Sequence, residues 1–288
     1  MQRSRWRILA AVGGLLVTSA LARYVLFSPR VNAKIRTVHP IIPGGLDQAF
    51  AAAQGTPALR GQVLGVTVNH HLLAASLVAQ MINLAATQHP STILLLSPNH
   101  FLVGNGWMIT SNQDWDTDRG TLKADHGFVK WLVKNDNVRL DESPFANEHG
   151  IYNLLPFLAK KMPNVKIVPI IFKDGMPDQF VDAFVTKASA HLPKDTLIIA
   201  SLDFSHYHNK AIADQHDAET IGVIQHFNLA QIHGLDIDSP PALRALLELM
   251  RLRGAHSFQI VDHQNSADIT GKLDTPETTS YINGVFLK

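Results

Sequence analysis

The sequence predicts an α/β domain with a mostly parallel central sheet and helices on both faces. Beyond residue 61, short β-rich runs alternate with longer helix-like stretches, which is the pattern of strand–helix–strand units. Most of these runs are almost continuously apolar, as is typical of strands that are buried on both faces of a parallel sheet. Ligands of such sheets bind outside the carboxyl ends of the strands, so candidate functional residues are sought there.

Six strands and six helices are predicted. The strands are Gln62–Val68, Thr92–Ser97, Lys166–Phe172, Thr196–Ser201, Ser257–Asp262 and Tyr281–Phe286. The helices are a short one at Leu46–Ala53, then Leu73–Ala86, Ile151–Lys161, Pro177–His191, Asp214–Phe227 and Pro240–Arg253.

Composition limits the chemistry that is available to the chain. Hydrophobic residues make up 46% of it and charged residues 17%, which is enough for a buried core. The net charge of +1 gives no electrostatic basis for binding nucleic acid, and we expect no such partner. With no cysteine, the chain cannot use thiolate catalysis, disulfides or iron–sulfur clusters. It has 15 histidines, so any metal would be held by imidazole, carboxylate or water.

The N-terminal segment resembles an export signal. Arg3, Arg5 and Arg7 precede an apolar run over residues 8–27, which is long enough to cross the roughly 30 Å apolar core of a bilayer. The arginines predict that the following domain lies outside the cytosol, either anchored to the membrane or secreted after signal cleavage. We therefore divide the chain into a signal peptide or anchor (1–27), a tether and lead-in segment (28–60) and the α/β domain (61–288).

Histidines follow three of the predicted strands. His70 comes after the first strand, His100 after the second and His206 after the fourth. The carboxyl ends of parallel strands meet at one edge of the sheet, so we expect the three imidazoles to share one site. Asp203 lies three residues before His206, which suits a carboxylate that orients the imidazole, although it could also be a turn residue or helix cap.

Two further groups of polar residues precede predicted helices. Glu148 and His149 stand just before Ile151–Lys161, and from the residues alone a helix cap is as good an explanation as a functional role. Asp236 and Asp238 stand just before Pro240–Arg253, where a helix cap formed by Asp238 or Ser239 is the more usual explanation.

Taken in order, these pieces form a set of motifs that covers the chain from about Leu64 to Phe286. The pieces are Asn69-His70, Ser97-Pro98-Asn99-His100, Glu148-His149-Gly150-Ile151, Leu155-Pro156-Phe157, Ser201-Leu202-Asp203-Phe204-Ser205-His206-Tyr207 and Tyr281-Ile282-Asn283-Gly284. The set resembles the Memo-like family, also called AmmeMemoRadiSam system protein B. The fold of that family is similar to that of class III extradiol ring-cleaving dioxygenases, which implies an extradiol dioxygenase-like architecture here.

The resemblance implies a metal site. Two family histidines that ligate a redox-active metal correspond to His70 and His100, and the elements that line the same pocket correspond to Asp203 with His206 and to Glu148 with His149. The third family ligand is usually a cysteine before the penultimate long helix. This chain has no cysteine, and Asp236 falls nearest to that position, with Asp238 next. We predict Asp236 as the third metal ligand, and His206 or His149 as the acid or base.

The predicted function is redox or oxygen-dependent chemistry on a small molecule. Two imidazoles and one carboxylate are typical of Fe(II) oxygenases, so Fe(II) is the favoured metal, with Zn(II) or copper as alternatives. Three other interpretations stay open: a true extradiol dioxygenase, a non-catalytic module that binds a small molecule or peptide, and a hydrolase with a metal-activated water. Whether the chain is an enzyme, and its oligomeric state, are left open by the sequence.

Overall fold

The apolar runs of the sequence form the centre of one large sheet in the computed structural model, which describes residues 34–55 and 57–288. Its strands, numbered along the chain, are β1 (Ile35–Thr37), β2 (Val63–Val68), β3 (Thr92–Pro98), β4 (Met108–Thr110), β5 (Asp114–Thr117), β6 (Gly120–Ala124), β7 (Val138–Leu140), β8 (Lys166–Phe172), β9 (Thr196–Ser201), β10 (Phe204–His208), β11 (Ser257–Asn265) and β12 (Thr278–Leu287). The order across the sheet is β1-β5-β6-β8-β3-β9-β2-β12-β10, with β11 on β12, β4 on β8 and β7 on β4.

The five central strands, β6, β8, β3, β9 and β2, run parallel to one another. Every residue of β2, β3 and β9 is buried, which explains why these runs are apolar without alternation. The predicted α/β class with a parallel central sheet is confirmed. One end of the sheet differs, because β12 pairs antiparallel with β2 and also with β10 and β11.

Helices cover both faces of this sheet. They are α1 (Leu46–Ala52), α2 (Ala75–Ala86), α3 (His126–Asn135), α4 (His149–Tyr152), α5 (Leu155–Lys161), α6 (Asp178–His191), α7 (Lys210–Gln225), α8 (Pro240–Arg253) and α9 (Ser266–Thr270). Alternate residues of each strand point to opposite faces, so Ile93 and Leu95 of β3 pack in the core under α2 and α5, while Leu94 and Leu96 pack with α6 and α8. Two hydrophobic cores therefore share one sheet.

The domain begins before the predicted boundary at residue 61. Strand β1 pairs with β5, and Leu46 and Ala49 of α1 are buried in the core that contains α2. Residues 34–53 thus belong to the folded unit that runs from Lys34 to Lys288. The predicted signal or anchor, residues 1–27, lies outside the described residues. Among those that are described, no helix is both long enough and apolar enough to cross a bilayer.

Candidate metal centre

The carboxyl ends of β2, β3 and β9 carry the predicted histidine site. His70 follows β2 and His100 follows β3, and their ring centroids are 5.0 Å apart with the rings nearly perpendicular. Helix α4 adds His149, whose ring is 5.3 Å from that of His70 and 3.9 Å from that of His100. One ring nitrogen of each lies within 4.8 Å of the others, so the three form a group that could hold a metal ion.

His70 is buried, and its hydrogen bonds determine which nitrogen carries the proton. Its Nδ1 lies 3.1 Å from the Ser201 hydroxyl, which itself donates to the carbonyl of Gly150 at 2.6 Å. Because the only hydroxyl hydrogen of Ser201 is used, His70 Nδ1 must be the donor. The lone pair of His70 is then on Nε2, which lies 3.4 Å from Oδ2 of both Asp203 and Asp238. Burial lowers the pKa of His70 well below its usual value, which favours this neutral form.

Glu148 orients His100 in the same way. His100 Nδ1 is 2.6 Å from Glu148 Oε1, and the backbone N–H of His100 donates to Oε2 at 2.9 Å. An ionised carboxylate only accepts hydrogen bonds, so His100 is protonated on Nδ1 and its Nε2 is free, 3.8 Å from Asp238 Oδ2. Glu148 also caps α4 by accepting from the backbone N–H of Gly150, so the same carboxylate caps the helix and contacts His100.

Asp238 is the carboxylate that both free imidazole nitrogens face. Its Oδ2 accepts from the backbone N–H of Asp203 at 2.9 Å, but its Oδ1 is buried and has no hydrogen-bond partner among the described residues. Burial and the neighbouring charge of Asp203 raise the pKa of Asp238 well above its usual value. Burial likewise raises the pKa of Asp203 to about 7. Two adjacent buried carboxylates can both be ionised only with a positive charge close by; without one, at least one of them binds a proton.

A divalent metal ion fits this set of donors. Two ligand atoms that are each about 2.1 Å from one ion lie about 3.0–3.5 Å apart at the usual coordination angles. The distances of 3.4 and 3.8 Å from Asp238 Oδ2 to the two imidazole nitrogens are close to that range. Each of the two imidazoles also has a hydrogen bond on its Nδ1, from His70 to Ser201 and from His100 to Glu148. Metal-binding histidines usually have such a hydrogen bond on the nitrogen that does not bind the metal, and it holds the ring in one tautomer.

The structure places the predicted ligand Asp236 elsewhere, and this corrects the prediction. Asp236 Oδ2 lies 3.1 Å from His216 Nδ1 and 3.3 Å from His208 Nε2, in a separate group. Asp236 and Asp238 flank Ile237, whose extended backbone pairs with Phe204. They are therefore displaced along one strand by about 6.6 Å, and only Asp238 is level with the ends of β2 and β3.

Of the two residues expected to cap α8, Asp238 and Ser239, the structure uses Ser239. Ser239 Oγ accepts from the backbone N–H of Ala242, so capping needs neither aspartate. Asp238 is thereby free to face the histidines.

His149 rather than His206 supplies the third imidazole of the group, which corrects the expectation that His206 does. His206 lies on β10, where burial lowers its pKa, and the charges of Asp236 and His100 act on it in opposite directions. It is therefore close to both clusters without belonging to either group of three. Burial and the charge of His100 lower the pKa of His149 to about 4.

Several residues around the site could not be given a role from the sequence. Ser201 is an ordinary strand residue there, but it fixes the tautomer of His70. Asn153 donates to the His70 carbonyl at 2.9 Å, and Tyr281 Oη lies 2.9 Å from His71 Nδ1. A cleft of about 770 Å³ lies beside them, lined by Thr37, Val38, His39, Pro40, Ile41, Pro43, His71, Leu72, Leu73, Ala146, Tyr152 and Asn153. The segment before residue 61 thus contributes to the surroundings of the site.

Comparison with known proteins agrees with this description. The chain is 31% identical over 194 residues to a MEMO1 family protein of Methanocaldococcus jannaschii, a match that covers 63% of this chain and 67% of that protein. It is 29% identical over 204 residues to a MEMO1 family protein of Saccharolobus solfataricus, covering 67% and 71%. The crystal structure of an uncharacterized protein from Escherichia coli K12 shares the fold, with a TM-score of 0.50 at 13% identity, over 79% of this chain and 100% of that one.

The family model described as Memo-like protein matches residues 71–285, which is well over half of the chain. This stretch contains His100, Glu148, His149, Asp203 and Asp238. With the extradiol dioxygenase-like sheet and the histidine group already described, the chain belongs to the Memo-like family.

Proposed function

We propose that this protein binds a divalent metal, with Fe(II) favoured, through His70, His100 and Asp238, and uses it for redox or oxygen-dependent chemistry on a small molecule. The observation that carries the proposal is the buried Oδ1 of Asp238, which has no hydrogen-bond partner in the described part of the chain and belongs to a carboxylate that faces the two free imidazole nitrogens. Two imidazoles and one carboxylate on one face leave further coordination positions open. A metal bound there would supply a redox centre or a Lewis acid.

Geometry favours Asp238 over His149 as the third ligand. The rings of His100 and His149 are stacked with an interplanar angle of 26°, so their nitrogen lone pairs lie in nearly parallel planes, which is unfavourable for binding the same ion. The rings of His70 and His100 are at 84°, which allows convergence. We therefore assign His149 a different role, that of the group that gives or takes a proton, with His206 as the second candidate by its position.

The protein's own side chains prepare the site for chemistry. Ser201 and Glu148 keep the protons of His70 and His100 on Nδ1, so that both Nε2 lone pairs face Asp238. Burial of His70 and Asp203 excludes water from one side, while the side chain of His100 stays 21% exposed and leaves access from the other. The neighbouring cleft, lined by Ile41, Leu72, Leu73 and Tyr152 among others, supports a small, partly apolar substrate.

The size of that cleft also supports the more specific alternative of an extradiol-type dioxygenase, since about 770 Å³ is ample for a catechol. A membrane-tethered or exported location is a further part of the proposal. Its support is the arginine-flanked apolar segment 8–27.

The test is metal analysis of anaerobically purified protein, followed by oxygen uptake with catechols. We expect about one tightly bound iron that is lost in Asp238→Asn and in His100→Gln. The matched control Asp274→Asn removes a charge at an exposed position and should retain the iron. Retention of iron in Asp238→Asn would refute the ligand set. Iron binding without oxygen uptake on any catechol would remove the dioxygenase alternative and leave the metal site.

A further inference from the structure

A second cluster of histidine and aspartate lies outside the site just described. His208 Nε2 and His216 Nδ1 lie 3.3 and 3.1 Å from the same oxygen, Oδ2 of Asp236, and the two rings are 4.9 Å apart at 83°. One ligand atom of each lies within 4.8 Å of the others. The side chains are 38%, 32% and 28% exposed, so solvent reaches the cluster directly.

Three different parts of the fold bring these residues together. His216 is on α7, Asp236 is on the extended segment before α8, and His208 ends β10. Strand β10 is irregular here, with bulges on both sides of His206. Tyr207 has a left-handed backbone with φ 59°, which is a strained conformation for a residue other than glycine. Bulges of this kind re-aim side chains, and here the distorted strand ends with His208 beside Asp236.

The distances fit ligand atoms around one ion. The 3.1 Å between His216 Nδ1 and Asp236 Oδ2 is an ordinary hydrogen-bond length in the absence of metal. Both values, 3.1 and 3.3 Å, also match the separation of about 3.0–3.5 Å between ligand atoms around one metal ion. Two nitrogens and one oxygen are donors suited to borderline cations such as Zn(II), Cu(II), Ni(II) and Co(II).

The two clusters are linked by a short piece of backbone. The Ser205 backbone N–H donates to the Asp236 carbonyl at 2.9 Å, and that of Asp238 donates to the Asp203 carbonyl at 3.2 Å. This backbone pairing holds Asp236 and Asp238 on one extended segment. Asp236 therefore faces His208 and His216, while Asp238, two residues later, faces His70 and His100.

We propose that His208, His216 and Asp236 form a second, solvent-accessible site for a divalent transition metal, separate from that of His70, His100 and Asp238. Its exposure leaves coordination positions for water and makes its ion more readily exchanged than one held at the buried site.

The experiment titrates the metal-stripped full chain with Zn(II) alone and counts bound ions by equilibrium dialysis. We expect two equivalents in the unmodified protein and one in His216→Gln and Asp236→Asn. His226→Gln is the matched control, because His226 is exposed directly after the same helix and, among the described residues, its side chain bonds only to the Gly222 carbonyl. It should bind two. Circular dichroism and the melting temperature check that each variant is folded.

Two results would overturn the proposal. His216→Gln and Asp236→Asn could both retain two equivalents, or His226→Gln could lose as much zinc as His216→Gln, which would indicate adventitious surface binding. If one of the two variants fails to fold, the other decides. Failure of the first site is distinguishable, because Asp238→Asn would then bind as many ions as the unmodified protein, while His216→Gln would still bind one fewer.

Discussion

Replacing Asp238 with Asn should leave the metal-free protein about as stable as before and remove most of the stability that bound metal adds. Asn keeps the oxygen that accepts from the Asp203 backbone N–H, and its amide nitrogen takes the position of Oδ1, which has no partner among the described residues. Burial raises the pKa of Asp238 well above its usual value, which favours the neutral acid when no metal is bound, and Asn is a neutral side chain of nearly the same shape. The metal-free variant should therefore be about as stable as the unmodified protein. The same change removes a metal ligand, so the variant should lose the stabilisation that metal provides.

The size of that loss follows from mass action. At a metal concentration of 100 times the Kd, binding stabilises the unmodified protein by about 2.7 kcal/mol. If the variant binds at least 100-fold more weakly, the gain at the same concentration falls to about 0.4 kcal/mol or less. For a domain of this size, 1 kcal/mol shifts the melting temperature by about 2–4 °C. The expected metal-induced shift is therefore about 5–11 °C in the unmodified protein and less than about 2 °C in the variant.

The assay is thermal unfolding under anaerobic conditions, with and without Fe(II), with Asp274→Asn as the control for loss of a charge. That control should keep the full shift. An Asp238→Asn protein with the same metal-induced shift as the unmodified protein would refute the assignment of Asp238 as a ligand. A metal-free variant destabilised by several kcal/mol would refute it too, because Asp238 would then have a structural partner.

Three other outcomes follow from the structure. Glu148→Gln, which removes the carboxylate that holds His100 Nδ1–H, should weaken metal binding by about 10–100-fold, measured by competition with a chelator. The hydrogen bond to Asp217 raises the pKa of His263 in the folded protein. The stabilisation from this hydrogen bond is therefore present below the ordinary histidine pKa and is lost as the pH rises through the pKa of the folded state. Urea unfolding at several pH values should show this loss of stability, and the His263→Gln variant should lack this pH dependence. A reporter fused to the C-terminus should be active only outside the cytosol if the apolar segment 8–27 directs export, and cytosolic activity would contradict that proposal.

The central strands were predictable because their burial leaves a strong signal. β8 and β9 have the predicted ends, and β2 and β3 differ from prediction by one residue, since each is an uninterrupted apolar run. The region of residues 108–140 was missed. Its strands β4 to β7 are three to five residues long, which is too short for the alternation of apolar and polar residues to be recognised in the sequence. The antiparallel end of the sheet was also missed, because the direction of a strand leaves no mark on its own residues.

The location of the site could be predicted from the sequence, but not all of the residues that form it. Histidines after adjacent parallel strands must meet at one sheet edge, so His70 and His100 could be placed together from the sequence. Choosing between Asp236 and Asp238 required the pairing of Ile237 with Phe204. Residues two apart on a strand point to the same face, so the spacing alone does not distinguish Asp236 from Asp238. The pairing with the neighbouring strand determines which of the two is level with the ends of β2 and β3.

The absence of sulfur from the proposed site has a consequence for where such a site can work. A thiolate ligand can be oxidised to sulfenic acid or further, with loss of its metal, whereas imidazole and carboxylate donors have no corresponding reaction. Protons compete for these donors instead, because histidine binds metal only when it is neutral. Acidification rather than oxidation should therefore strip the ion held by His70, His100 and Asp238, and the site can keep its donors intact in an oxidising compartment, where a cysteine at the same position would be exposed to damage.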